Sequence, residues 1–269
     1  MSIPFTILAI NGYLLTVFLV YRHITQSPGA SRLSTVSSIV WIITLLIHGI
    51  ALGNSLLTPD GLDLSLYHAL SLVAWMVAIL LFATTVRQPL ESLALPLLPL
   101  ITLALTIGLI TPSLHARIIT GEQGLQWHIL GSLLAFSMFS LAATQAIILA
   151  YQDHQLRHHR FKGWVQHLPP LQHMESFLFQ LIGMGFVLLS ASLLSGWFFV
   201  DDFFAQKLAH KTILSLLAWV LFAILLAGRW IAGWRGRIVI NWTLGGFVLL
   251  ILAYFGSKLV LEVILKPTV

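Results

Sequence analysis

Apolar stretches about as long as a membrane is thick occupy most of this 269-residue chain. A bilayer core of about 30 Å is crossed by roughly 20 residues of α-helix. Only 9% of the residues are charged and 58% are hydrophobic, whereas a soluble domain usually carries about 25% charged residues. Such a chain would leave far too much apolar surface in water, so the sequence predicts an integral membrane protein.

Eight stretches have the required length, and the connections between them do not exceed about 25 residues. The expected fold is therefore all-α, a polytopic bundle of eight transmembrane helices that forms a single domain over residues 1–269. The first stretch lacks a basic segment before it, which argues against a cleaved signal peptide. The approximate bounds are 2–22, 34–57, 64–86, 91–111, 125–152, 176–200, 211–232 and 241–265.

Lys and Arg are distributed unequally between the two sets of alternate loops. Nine of the 14 basic residues fall in the set that begins after the first helix, and five fall in the other. Because cytoplasmic loops carry the excess of Lys and Arg, we expect both termini outside and the protein in a bacterial inner membrane. The basic residues are spread between apolar segments rather than collected on one face, so no nucleic-acid partner is expected. The expected surroundings are the lipid bilayer.

Histidines at the ends and in the interior of these stretches suggest chemistry. His68, His128 and His210 each lie within about a turn of the outer ends of helices three, five and seven, which run in one direction. His48 lies about eight residues from the outer end of helix two, so roughly 12 Å deep. Ionisable groups at that depth usually face the bundle interior or a cavity. For His48, a neutral ring bonded to a neighbouring carbonyl is as well supported as a functional role.

Two imidazoles from facing helices are a common way to hold haem iron in a bundle. The chain has no Cys, which removes thiolate ligands and covalent haem attachment. The surroundings are rich in Gly, Ala, Leu, Phe and Trp, which suit a flat porphyrin better than a structural zinc site. The residues therefore leave two interpretations open, a zinc or copper ion held by imidazoles or one or more b-type haems, each bound by two histidines near the outer membrane face. The candidate ligands are His128 first, His210 or His68 as its partner and His48 for a second, deeper haem, and Trp127 and Trp197 complete the candidate haem-binding residues.

The five histidines between Asp153 and Glu175 form a second group, on the predicted cytoplasmic side. His154 and His158 have the i, i+4 spacing that can chelate a metal on a helix. The basic residues around them repel cations, so a solvated loop near anionic lipid headgroups is preferred. The other three are His159, His167 and His173.

A small-solute or ion transporter that relays protons through buried histidines is the alternative function. Transporters often show inverted repeats and broken helices. No internal repeat is visible, and only helix four, with Pro89, Pro96 and Pro99, is expected to be irregular. No hydrolytic or phosphoryl-transfer motif occurs, so the chain is not expected to be an enzyme.

Several motifs resemble the cytochrome c assembly family of the CcsA, ResC and HemX kind, and within it the inner-membrane branch. The resemblance covers about residues 40–262. It implies haem handling or cytochrome c assembly, with His128 in the position of a haem-ligating histidine and a maturation factor or another membrane protein as partner. The motifs are Leu64 to Trp75, Trp127-His128 with the following helix, Leu181 to Trp197, Gly233-Trp234-Arg235-Gly236-Arg237 and Tyr254-Phe255-Gly256.

The chain departs from the family pattern in three places. His68 stands where the family has glutamate. The residues from Trp197 to Lys211 replace the family's tryptophan-rich external motif, and the external histidine after the last helix is missing. Only His128 carries over directly, so His68 and His210 would serve as replacement ligands.

Overall fold

Eight α-helices make up most of the structure, a computed structural model that describes residues 2–26, 33–58, 61–88, 90–111, 118–119, 123–158, 168–199 and 209–256. All eight are long and apolar enough to cross a membrane, α8 together with the turn that follows it. The predicted all-α class and its eight membrane-spanning helices are confirmed. The helices are α1 (Ile3–Gln26), α2 (Thr35–Leu56), α3 (Leu66–Arg87), α4 (Ala94–Ile110), α5 (Gln123–Arg157), α6 (Leu171–Phe199), α7 (Ala209–Ala232) and α8 (Arg237–Ile251).

The ends of α5 and α6 extend beyond the stretches that hydropathy marks. α5 continues to Arg157 and α6 begins at Leu171, so the predicted loop from Asp153 to Glu175 is helical at both ends. Arg157 Nε lies 2.9 Å from Oδ2 of Asp153, one turn earlier. Arg and Gln are good helix formers, and an apolar pattern detects only the part of a helix that contacts lipid or core.

Two helices have irregular ends. A 3-10 turn at Glu91–Leu93 precedes α4, and Pro99 lies inside α4, in line with the irregular fourth helix that the sequence predicts. Pro89 lies outside the described residues. α8 ends in a π-helical turn at Leu252–Gly256, a feature that is often found at functional sites.

A small antiparallel sheet precedes α3, and the sequence did not predict it. It has the order β1 (Leu57–Thr58), β2 (Gly61–Asp63) and β3 (Ile118–Ile119). In this sheet Asp63 pairs with Ile118. Strands of two or three residues are too short to show a period of two, so no sequence signal was available.

The chain divides into two compact units. The first is Met1–Thr120 with Gln152–Leu171, and the second is Gly121–Tyr151 with Gln172–Val269. α1 to α4 and the sheet belong to the first unit, and α6 to α8 with most of α5 belong to the second. The predicted single domain stays a prediction.

An aromatic pair between two glycines fixes the packing of the second unit. The rings of Phe139 on α5 and Phe222 on α7 are stacked with centroids 4.1 Å apart. A Cβ added at Gly185 on α6 would come within 3.0 Å of Phe139, and one added at Gly246 on α8 within 2.6 Å of Phe222. Four helices therefore approach closely because two of them lack a side chain at the contact.

Candidate functional site

His68 lies in the first turn of α3 and is only 6% exposed. Its Nδ1 lies 3.1 Å from Oδ2 of Asp63 and 3.1 Å from Oγ of Ser65. A carboxylate accepts hydrogen bonds and does not donate them, so in the neutral ring Nδ1 carries the proton. The lone pair is then on Nε2, the atom available to a metal.

The backbone around Asp63 fixes the position of its carboxylate. Asp63 is the last residue of β2 and pairs with Ile118, and its Oδ1 accepts a hydrogen bond from the backbone N–H of Ser65 at 3.0 Å. One carboxylate oxygen thus holds the turn into α3 while the other faces His68. The sequence signal was an Asp-x-Ser turn ahead of a helix, and it was missed.

His128 lies near the start of α5 and is partly buried. Its Nδ1 lies 2.9 Å from Oγ of Ser195 on α6, and that hydroxyl donates its proton to the carbonyl of Ser192 at 2.9 Å. With its proton committed, the hydroxyl accepts from Nδ1–H of His128. His128 therefore has the same tautomer as His68, with the lone pair on Nε2.

Hydroxyl groups and aromatic side chains lie about one and two turns along α5 from His128. The side chain of Tyr254 is hydrogen-bonded to Ser132 and Ser192. The ring centroid of Phe136 lies 5.3 Å from that of Tyr254 and 5.2 Å from that of Phe255, both on the π-helical turn. The resemblance named Tyr254 and Phe255 only as part of a motif, because sequence does not reveal that a π-turn brings both rings to one neighbour.

His48 is fully buried in the first unit and both of its ring nitrogens have partners. Nδ1 lies 2.9 Å from the hydroxyl of Tyr13, and Nε2 lies 3.1 Å from Oγ of Ser71. The sequence considered a carbonyl as partner, whereas the structure provides two hydroxyls. An iron that binds either ring nitrogen would have to displace the hydroxyl of Tyr13 or that of Ser71. A second, deeper haem at His48 stays a prediction.

For the other candidate residues, His210, Trp127 and Trp197, the structure gives position or exposure. His210 is the second residue of α7, but its side chain lies outside the described part of the chain. Trp127 is 72% exposed and Trp197 is 74% exposed, which suits the aromatic belt at a membrane surface. His68 and His128 belong to different units, so their pairing stays a prediction.

The histidines between Asp153 and Glu175 do not form a metal cluster within the described residues. The rings of His154 and His158 are 4.2 Å apart, and Nδ1 of His158 is 2.8 Å from the carbonyl of His154. His173 is exposed on α6. His159 and His167 lie outside the described residues.

A buried carboxylate joins the start of α6 to the turn between α7 and α8, and sequence reasoning missed it. Glu175, expected in a solvated loop, is 6% exposed. Its Oε1 accepts from the backbone N–H of Gly236 at 3.2 Å and lies 3.7 Å from Nη1 of Arg229. Gly233 and Gly236 have φ of 64° and 62°, conformations that favour glycine. The Gly-Trp-Arg-Gly-Arg motif is therefore a structural turn.

Comparisons with known proteins agree with the predicted resemblance. The model of a family described as Cytochrome C assembly protein matches residues 63–265. Inner membrane protein YpjD of Escherichia coli strain K12 is 34% identical over 266 residues, which is 97% of this chain and 98% of that protein. A protein of Azospirillum brasilense, named as an uncharacterized 28.8 kDa protein, is 29% identical over 140 residues, 51% of this chain and 52% of its own length. No solved structure matches the chain.

The full-length match to an inner-membrane protein and the eight membrane-length helices agree on location. The chain is a multi-pass protein of the bacterial inner membrane, as the sequence predicts. Its exposed apolar side chains, such as Trp230 at 82% and Ile231 at 87%, are then in contact with lipid rather than water. The region that the family model matches begins at Asp63 and includes His68 and His128.

Proposed function

The chain belongs to the cytochrome c assembly protein family, and from this we propose that it binds a b-type haem in the inner membrane and handles haem for cytochrome c assembly. One observation carries the haem-binding part. His68 and His128 each have Nδ1 held by an oxygen, which directs the lone pair to Nε2. Histidines that bind a metal through one ring nitrogen characteristically donate a hydrogen bond from the other nitrogen to a nearby oxygen in this way.

The groups around His128 are suited to a porphyrin. In this proposal the porphyrin packs beside the aromatic cluster of Phe136, Tyr254 and Phe255, and the hydroxyls of Ser132 and Ser192 near Tyr254 bind polar groups at its edge. A bound haem would supply an iron that gains and loses one electron. His128 is the first ligand in this proposal, and His68 or His210 is the second. No enzymatic activity is proposed.

The alternative, a transporter with a proton relay, is favoured by one feature of the first unit. Tyr13, His48 and Ser71 form a hydroxyl–imidazole–hydroxyl chain. Hydroxyls and imidazole both donate and accept, so the chain is able to pass a proton in either direction. It does not require a cofactor, and a purified protein without a haem spectrum would favour it.

Replacing His128 by Ala tests haem ligation directly. We expect the purified wild-type chain to show a Soret band and a low-spin spectrum, and the variant to lose or strongly shift it, because the first ligand is gone. The control is a chain with His154, His158, His159, His167 and His173 all replaced by Ala, which should keep the wild-type spectrum. A folded His128→Ala protein with an unaltered low-spin spectrum would contradict the proposal, and a spectrum lost only in the control would move the site to the other cluster.

The assembly role has a separate test in cells. Removing the gene should lower the amount of membrane cytochromes with covalently attached haem, measured by haem-dependent peroxidase staining of denatured membranes. The wild-type gene should restore it, and the His128→Ala gene should not. Unchanged staining without the gene would contradict a role in cytochrome c assembly while leaving haem binding intact.

A further inference from the structure

Asp63 is a buried carboxylate whose ion-pair partner among the described residues is His68 alone. It is 6% exposed, and its two oxygens face the Ser65 N–H and the His68 ring. Taking a carboxylate out of water is unfavourable unless partners compensate for it. A neutral acceptor would satisfy the same ring N–H at lower cost, so the charge itself requires an explanation.

His68 and His128 have acceptors of different charge. The acceptor at His68 is a carboxylate, whereas the acceptor at His128 is the hydroxyl of Ser195. An anionic acceptor draws the Nδ1 proton more strongly than a hydroxyl does, which raises the basicity of Nε2. The two histidines are therefore unequal donors to a metal, and His68 is the stronger.

The arrangement at Asp63 is fixed by backbone contacts. β2 holds Asp63 opposite Ile118, and the Ser65 N–H holds one carboxylate oxygen before α3 begins at Leu66. The carboxylate and the ring come from one short stretch of chain, so they stay together without a cofactor. Such preorganisation is what a metal site needs from its supporting residues.

We propose that Asp63 is the positioning residue of His68: it presents Nε2 to haem iron and, through its charge, favours the ferric over the ferrous state. The inference rests on the proposed haem binding. A negative charge behind an iron ligand stabilises the higher charge on the metal, and hydrogen bonds to the ligands are a principal means of tuning the potential of haem. A low potential suits a protein that holds oxidised haem.

The test is the midpoint potential of haem in the purified full-length protein, measured by optical redox titration. The haem-to-protein ratio of each variant is measured beside it. Asp63→Asn removes the charge and keeps the size. We expect it to shift the ferric-to-ferrous ratio at a fixed potential about tenfold towards ferrous, about 59 mV for a one-electron couple. Asp63→Glu, which restores the charge, should lie closer to wild type. Ser195→Ala, which removes the hydroxyl beside Nδ1 of His128, should shift the ratio less because no charge is lost.

A double substitution shows whether Asp63 acts through His68. In a His68→Ala background the Asp63→Asn substitution should no longer change the potential. An effect of the same size in that background overturns the inference, and so does an unchanged potential in Asp63→Asn with wild-type haem content. A wild-type protein without haem overturns the proposed function instead. If Asp63→Asn fails to fold, Asp63→Ser decides instead, because it also removes the charge and keeps a side-chain oxygen near the Ser65 N–H. A shift of the same direction and size supports the inference, and an unchanged potential with wild-type haem content overturns it.

Discussion

His48, His68 and His128 are all candidate ligands by sequence, but they differ in which atoms contact their ring nitrogens. His48 has a hydroxyl on each side, whereas His68 and His128 have an oxygen that orients Nδ1. A ring held on both sides is already satisfied, and a ring oriented through Nδ1 presents Nε2. The contacts of the ring nitrogens thus distinguish His48, which links helices, from His68 and His128, which are suited to a metal.

Removing a hydroxyl beside His48 should affect stability and not haem. Tyr13→Phe leaves a fully buried ring nitrogen without its partner, and an unsatisfied buried polar group costs about 1–3 kcal/mol. We expect a lower free energy of unfolding in detergent and an unchanged haem spectrum. Tyr21→Phe is the control, because Tyr21 is 54% exposed. A changed spectrum in Tyr13→Phe with unchanged stability would make His48 a haem ligand.

Sequence indicated which histidines matter but not their partners. His48 was expected at depth, and it is fully buried. The hydroxyls of Tyr13 and Ser71 come from other helices, and a single sequence does not tell which residues of two helices face each other. Ser195 was hidden for the same reason. The contact of Asp63 with His68 could have been predicted, since Asp63 lies five residues before His68 in an Asp-x-Ser turn.

Helix packing in the second unit depends on two glycines that hydropathy treats like their neighbours. Gly245 and Gly246 are adjacent on α8, yet a Cβ at Gly245 meets nothing within 4 Å while one at Gly246 lies 2.6 Å from the Phe222 ring. Phe222 is stacked on Phe139, so it has little freedom to move. An added methyl group would force α8 away from α7.

Gly246→Ala should therefore destabilise the protein, and Gly245→Ala should not. Overpacking of this kind costs about 1–3 kcal/mol, partly offset by the roughly 1 kcal/mol that Ala gains over Gly in a helix. Thermal unfolding in one detergent measures both variants. Equal stability of the two variants would show that the Phe139–Phe222 stack yields to the added group.

At the scale of elements, apolar length was enough to locate all eight helices, because lipid requires an unbroken backbone hydrogen-bond pattern. It was not enough for their ends. α5 and α6 continue into polar sequence, and Glu175 is buried rather than solvated. The three short strands and the π-turn depend on tertiary contacts and have no periodic signal of their own.

The orientation of the whole molecule in the membrane is a prediction that follows from charge alone. Nine of the 14 basic residues lie in the loops that would face the cytoplasm. The Glu175 cluster places Arg229 and Arg235 together, at the ends of α6, α7 and α8 that meet there. Translocating such a group of cations is unfavourable, so this end of the second unit is expected to stay in the cytoplasm.

Reporter fusions at two positions test this orientation. A reporter that is active only in the periplasm should be inactive when fused after Lys162 and active when fused after Phe204, because α6 crosses the membrane between them. A reporter that is active only in the cytoplasm should give the opposite result at the same two positions, which controls for unstable fusions. Since His68 lies at the start of α3 and the basic end of α3 lies at Arg87, the same orientation puts Asp63 and His68 near the outer face. Periplasmic activity after Lys162 would contradict the predicted orientation. His68 and His128 would then lie on the cytoplasmic side, and haem bound by them would face the wrong compartment for delivery outside.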